Sequence, residues 1–378
     1  MLELERLTIN TGMFSVKDVS LKIQPGSCNV LVGPTGCGKT TLLEAIIGIR
    51  RPDSGVIRLE GRRIDDLPIE RRGIAYLPQD LALFPHLTVE GNIFYGLKHQ
   101  KRLNERRRDF VLELAETLGI THLLKRMVDH LSGGERQRVA LVRALATGSR
   151  YLLLDEPLSA LHEAMKKDLW FLIADIKVRF GLAIVMVTHD MDEAFFMGDE
   201  IAVMIDGMIR QAGPRGEVYG HPIDIDVAGF FGIKNLFSAE VIRMRGKWAE
   251  VRCNELNTDL IVPAWRHSGT TSILQGLPFI IGIMPENVML IRPDLNRRDN
   301  DNLLEGVVYE IFSRGRSNTL LFVPDGSDRV IEIDIPDYAM RKMDITKGVK
   351  AVVALRAEKI FTLTARAPHA AIPQPLPL

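Results

Sequence analysis

Residues 33–40 read Gly33-Pro34-Thr35-Gly36-Cys37-Gly38-Lys39-Thr40, the pattern G-x-x-x-x-G-K-[ST], and their surroundings leave few folds open. Val30-Leu31-Val32 before the octet has the aliphatic, β-branched character of a short buried strand. Thr41 to Ile47 after it suits a buried helix closed by Gly48. Glycines at 33, 36 and 38 allow backbone angles that a Cβ forbids, so successive N–H groups turn inward as a nest for phosphate oxygens. The start of the helix adds partial positive charge. Lys39 brings a mobile full charge to the β- and γ-phosphates, and the Thr40 hydroxyl is placed to ligate Mg²⁺. A nucleoside-triphosphate site built from Gly33 to Thr41 follows; hydrolysis needs further groups.

The chain has 378 residues, so its length predicts roughly two to three domains. Lys plus Arg and Asp plus Glu are equal at 48 each, so no global field argues for nucleic acid or an acidic membrane surface. The run around Arg106-Arg107-Arg108 reads as a solvated helix face. Cys28, Cys37 and Cys253 form an odd set with no C-x-x-C, which suits a reducing compartment and excludes a cysteine-based zinc ribbon. No basic leader with an apolar stretch opens the chain, and no window approaches eighteen apolar residues, so a chain neither secreted nor membrane-spanning is expected.

Residues 1–60 alternate like strands, with turns at Gly26 and at Pro52-Asp53-Ser54-Gly55. From about 90 to 130 the pattern turns helical, with Phe110, Leu114, Ala115 and Leu118 at core spacing and Gly119 as a stop. Tyr151 to Leu154 and Ala183 to Val187 are continuous apolar runs of the kind found in parallel sheets covered on both faces, and a helix over 163–180 completes a βαβ unit. Past residue 235 short alternating segments dominate, among them Leu320 to Val323, Ile331 to Ile335 and Ala351 to Leu355, which predicts a small β-barrel domain. The polar run Asp294 to Asn302 divides it into two strand-rich halves, and the Pro-rich segment 367–378 reads as a disordered tail.

Asp155-Glu156 closes the strand Leu152-Leu153-Leu154 at the edge where open α/β sheets bind ligands. Asp155 suits Mg²⁺ held through water, and Glu156 suits the general base that polarises an attacking water. His189, after the next strand, offers a neutral imidazole to the γ-phosphate, and Gln79 an amide oxygen to Mg²⁺ or water. Leu131-Ser132-Gly133-Gly134-Glu135 contains a capping box, Ser132 with Glu135, whose two glycines let a phosphate approach the N–H groups of the helix running to Leu145. Two anion-binding helix starts with one lysine-bearing loop suggest that the second serves a nucleotide held by another copy.

In this order the residues resemble the ATP-binding cassette (ABC) ATPases over about 1–234: Gly33 to Thr40 looks like Walker A, Gln79 the Q-loop, Leu131 to Gln137 the signature motif, Leu152 to Glu156 Walker B and His189 the switch histidine. The resemblance implies an α/β P-loop domain with a mixed sheet and a helical subdomain at about 90–145. It also implies a head-to-tail homodimer closing over two ATP, each between one copy's Walker A and the other's Ser132-Gly133-Gly134. Catalysis then falls to Glu156, His189 and Lys39. Nucleotide contacts fall to Phe14, Gly33 to Thr41, Gln79 and Ser132 to Glu135, and metal contacts to Thr40, Gln79 and Asp155.

Leu83-Phe84-Pro85-His86-Leu87-Thr88-Val89 and Met284-Pro285-Glu286-Asn287-Val288 narrow the likeness to importers with a C-terminal TOBE-type, OB-like barrel, here 235–366. Asn10 to Leu21, Pro34-Thr35-Gly36 and the Gly232 to Leu236 junction are most similar to molybdate and tungstate importer ATPases; ferric-iron, sulfate, polyamine and sugar importers share the scaffold. The implied partners are a permease at the cytoplasmic face of the cell membrane and, indirectly, an extracytoplasmic binding protein, with an oxyanion possible at the barrel and no nucleic acid. The rival class is a soluble ABC ATPase working on nucleic acid or ribosomes. The chain departs from the family pattern at His162, where the D-loop carries Asp. It departs again at Thr11, where an aromatic residue stacks on adenine, Phe14 being the nearest substitute. At the barrel, Glu358 opposes an anion, while Ser313 to Thr319 is cationic and hydroxyl-rich but reads first as a solvated hairpin turn.

Overall fold

A computed structural model describes residues 1–12, 14–99, 103–159, 161–264, 278–291 and 301–364. The proline-rich segment, most of the polar run after Asp294 and Ala160 of the D-loop lie outside these residues. The chain divides into two units, Met1–Arg215 and Gly216–Leu378.

In chain order the first unit contains β1 (Leu2–Asn10), β2 (Ser15–Ile23), β3 (Cys28–Val32), α1 (Lys39–Ile47), β4 (Ser54–Leu59), β5 (Arg62–Arg63), β6 (Ile74–Leu77) and α2 (Val89–His99). It continues with α3 (Glu105–Thr117), α4 (Gly133–Leu145), β7 (Tyr151–Asp155), α5 (Glu163–Phe180), β8 (Ala183–Val187), α6 (Met191–Met197), β9 (Glu200–Ile205) and β10 (Met208–Pro214). One sheet has the order β2-β1-β4-β5 and pairs antiparallel; the other has the order β10-β9-β3-β8-β7-β6. In the second sheet β9, β3, β8, β7 and β6 run parallel and β10 joins antiparallel.

The expected runs form the centre of that sheet because they are apolar on both faces: every residue of β7 and of β8 is buried. Register then fixes the functional edge. Asp155 pairs with Val187, Leu31 with Val187 and Leu77 with Leu154, so β3, β8, β7 and β6 end together. The residues just past those ends, Gly33, His189, Glu156 and Gln79, emerge at one edge, as a parallel sheet requires.

The helical segment 89–145 holds α2, α3 and α4, with Leu114, Ala115 and Leu118 buried as expected. Phe110 is only half-buried and Val111 takes the core position beside it. Arg106 and Arg108 are exposed on α3, in agreement with a solvated face. Among the described residues no helix is long and apolar enough to cross a membrane.

The second unit is built from β11 (Leu236–Arg245), β12 (Trp248–Cys253), β13 (Thr258–Pro263), β14 (Phe279–Gly282), β15 (Val288–Ile291), β16 (Asp301–Ser313), β17 (Ser317–Pro324), β18 (Ile331–Pro336), β19 (Lys350–Arg356) and β20 (Phe361–Thr364). Two five-stranded antiparallel sheets, β13-β12-β11-β14-β20 and β15-β19-β16-β17-β18, share one core that runs from Phe237 and Val251 to Phe322 and Val353. This agrees with the expected all-β, OB-like domain.

Two sequence expectations shift. The division falls after Arg215 rather than at 235, because Ala228 and Ile233 pack with Leu236, Met284 and Phe361 of the β unit. Asp301 and Asn302, read as part of a polar divider, belong to β16, where Asn302 spends its amide on the backbone of Ile261 and Leu355. The cationic segment after Ser313 is a hairpin turn between β16 and β17, as expected, closed by Arg314 N–H donating to Ser317 O at 2.8 Å with Gly315 at φ 83°.

Candidate functional site

The octet adopts the predicted strand–loop–helix. Gly36 and Gly38 have φ of 81° and 101°, and α1 starts at Lys39 and ends on Gly48 at φ 96°. Gly33 is required by space: a Cβ there would stand 2.0 Å from the carbonyl oxygen of Met204. Lys39 is buried, and its ammonium donates to Gly33 O and Pro34 O, both at 2.9 Å. These carbonyls hold a charge that the site needs close at hand. Cys37 turns its thiol into the core, and burial pushes its pKa up, so only its backbone is available to a phosphate.

Phe14, Thr35, Gly36, Gly38, Lys39, Thr40, Thr41, Gln79, Glu156 and His189 line one cleft of about 420 Å³. Phe14 presses so closely on the loop that a Cβ on Gly38 would lie 2.7 Å from its ring. Thr11 supports this aromatic wall by donating its hydroxyl to Phe14 O at 3.0 Å.

At the cleft floor the Thr40 hydroxyl donates to Asp155 Oδ1 at 3.2 Å and the Tyr76 hydroxyl to Oδ2 at 3.4 Å. Burial raises the Asp155 carboxyl above its ordinary pKa, with Thr40 opposing the shift and the neighbouring Glu156 charge adding to it. Tyr76 is likewise pushed up, chiefly by burial and then by Asp155. Glu156 sits in the left-handed region at φ 43°, uncommon for a side-chain-bearing residue, while its N–H donates to Val187 O at 3.0 Å. Its carboxylate accepts from Gln79 Nε2 at 3.3 Å and faces His189 Nδ1 at 3.3 Å.

An Mg²⁺ ion fits this donor set. Thr40 and Asp155 offer hard oxygens side by side, and no cluster of three or more His, Cys, Asp or Glu suited to a metal occurs among the described residues. An ion that keeps phosphate and water ligands needs no more.

The second helix start forms as predicted. Ser132 is the N-cap of α4, and the capping box is complete: Ser132 Oγ accepts from Glu135 N–H at 3.4 Å and the Glu135 carboxylate accepts from Ser132 N–H at 2.7 Å. The Ser132 backbone bond, then its hydroxyl, hold the Glu135 carboxyl below the usual range. Gly134 allows α5 to come close, since a Cβ would meet Met165 Cε at 2.6 Å. Residues 132–135 are not among those lining the Lys39 cleft. Gly133 instead lines a neighbouring cavity of about 370 Å³ with Arg136 and Ser159, which shares Gln79 and Glu156 with the cleft.

Comparison with known proteins matches residues 16–159 to the model described as "ABC transporter". The molybdate/tungstate import ATP-binding protein WtpC of Thermococcus kodakarensis is 40% identical over 277 residues, covering 73% of this chain and 79% of that protein. The chain belongs to the ABC transporter ATP-binding family. Archaeoglobus fulgidus WtpC is 50% identical to this ABC chain over 207 residues, 55% of the chain and 85% of the relative. The spermidine/putrescine import protein PotA of Ruegeria pomeroyi is 35% identical over 342 residues, 90% and 89% of the two chains. Among solved structures, the dimeric structure of MJ0796, a bacterial ABC transporter cassette, aligns with TM-score 0.51 and 28% identity, covering 57% of this chain and 98% of that one. The cassette is thus an ATPase subunit of importer type, with the mixed-sheet fold expected.

Some contacts escaped the sequence reading. Tyr76 was visible only as a hydroxyl in an otherwise apolar strand. Glu193 carries no motif signal, yet it is buried and accepts the Thr188 hydroxyl next to His189. Asp190 caps α6, its carboxylate accepting from Glu193 N–H at 3.2 Å. His162 stands at the N-cap of α5 with no side-chain capping bond, a position where Asp is among the preferred residues.

Proposed function

We propose that this chain is the ATP-hydrolysing subunit of an importer for a small oxyanion, with molybdate or tungstate the favoured cargo. The observation that carries the cargo is the 50% identity to a molybdate/tungstate import protein. The convergence of Lys39, Thr40, Asp155, Glu156 and His189 at one sheet edge supports the chemistry.

The loop N–H groups, Lys39 and the start of α1 bind the triphosphate, and Phe14 receives the base. Thr40 and Asp155 hold Mg²⁺, with Gln79 beside them; when bound, the ion neutralises charge on the β- and γ-phosphates. Glu156 takes the proton of the attacking water, and Gln79 and His189 fix that carboxylate from two sides. His189 is exposed into the cleft, where its imidazole is available to the γ-phosphate.

Because Ser132 to Glu135 do not line the Lys39 cleft, the second anion-binding helix start serves the nucleotide of a second copy. Two head-to-tail chains then enclose two ATP molecules, a reading supported by the dimeric structure of the MJ0796 cassette. Closure and reopening pass through the segment 79–89 to a permease, with the chain peripheral on the cytoplasmic face of the membrane. The domains in this reading are the cassette, its helical segment and a TOBE-type β domain that regulates.

A polyamine cargo is the second reading, favoured by the length of the PotA match, which spans 90% of the chain and so includes the β unit. Disrupting the gene and following uptake of labelled molybdate, tungstate and spermidine separates the two. Loss of molybdate and tungstate uptake is expected; loss of spermidine uptake alone overturns the oxyanion assignment.

A further inference from the structure

The turn after Gln79 is held in a conformation its residues do not favour. Leu81 and Ala82 are consecutive side-chain-bearing residues in the left-handed region, at φ 61° and 45°. Two such residues in succession direct their carbonyls the same way. Arg143 meets both: Nη2 donates to Leu81 O at 2.6 Å and Nη1 to Ala82 O at 2.5 Å. Its guanidinium also lies 5.4 Å from the ring centre of Phe84. A planar fork matches two parallel carbonyls, and a lysine ammonium does not.

Arg143 stands in the last turn of α4, the helix that Ser132 caps, and the turn it grips begins two residues after Gln79, which touches Glu156. We propose that Arg143 is a positioning residue for Gln79: it holds the strained turn and ties it to the helix headed by Ser132. This inference rests on the ATPase reading above.

The test uses the full chain, with ATP turnover, ATP affinity and amide exchange of residues 80–84 measured side by side. Arg143→Ala lowers kcat about tenfold with the Kd for ATP within about twofold, and the turn exchanges faster. Arg143→Lys is impaired too, because it satisfies one carbonyl at a time. Adding Leu81→Gly and Ala82→Gly to Arg143→Ala removes the strain and recovers turnover. Unchanged turnover in Arg143→Ala, parallel loss of affinity and turnover, or no recovery with the glycines overturns the proposal. A wild-type chain without hydrolysis overturns the ATPase reading instead.

Discussion

The Glu156 carboxylate and the His189 imidazole face each other across 3.3 Å, each just past the end of a buried parallel strand. The pairing follows from register, since Asp155 lies opposite Val187 and each strand releases its functional residue at the same level. Glu156→Gln keeps the shape and the contacts while removing the base. Turnover is expected to fall about 10²–10⁴-fold with ATP affinity retained, read by phosphate release and nucleotide titration. Normal turnover in this variant removes Glu156 from the base role.

Two of the three loop glycines differ in what they tolerate. Gly33→Ala forces a Cβ to 2.0 Å from Met204 O, a clash with backbone that should cost about 3 kcal/mol or more. Gly36 has open space around its missing Cβ and only its φ of 81° to defend, so Gly36→Ala should cost about 1–2 kcal/mol. Denaturant unfolding of both variants checks the order, and equal losses contradict it.

Buried Glu193 makes stability depend on pH. Burial, first among its causes, raises its pKa from 4.5 to about 7. Between these values the native chain keeps a proton that the unfolded chain releases, so stability is fullest below 4.5 and is lost as pH rises through about 7. The contribution is about 3 kcal/mol across this window. In Glu193→Gln that slope should disappear, as compared by chemical denaturation at pH 5 and 8; an unchanged slope assigns the dependence elsewhere.

His162 leaves the first turn of α5 without a side-chain cap. His162→Asp supplies an acceptor and a negative charge at a helix start, for a gain of about 0.5–1 kcal/mol. A rise in melting temperature checks it, and a fall shows that the imidazole makes a contact worth more than the cap.

Much of the site was legible because its parts are local. The glycine octet, the acids ending an apolar strand, His189 and the Ser132–Glu135 box each announce themselves within a few residues, and strand periodicity brings the first three to one edge. What stayed hidden is non-local. Tyr76 meets Asp155 only through the pairing of β6 with β7, and Arg143 grips a turn some sixty positions earlier. Left-handed Leu81 and Ala82 carry no sequence signal, since neither is the glycine or asparagine that usually marks such a turn. The division after Arg215 was hidden for a related reason: residues 216–234 are helical in character yet spend their apolar side chains on the β unit.

The central claim is that Lys39 and Ser132 complete one ATP site only from different chains. Complementation tests it directly: Lys39→Ala and Ser132→Arg proteins, each inactive alone, are mixed in equal amounts and assayed for ATP turnover. Mixed dimers contain one intact site, so activity should return to about one quarter of wild type. A mixture no more active than its parents contradicts the shared site.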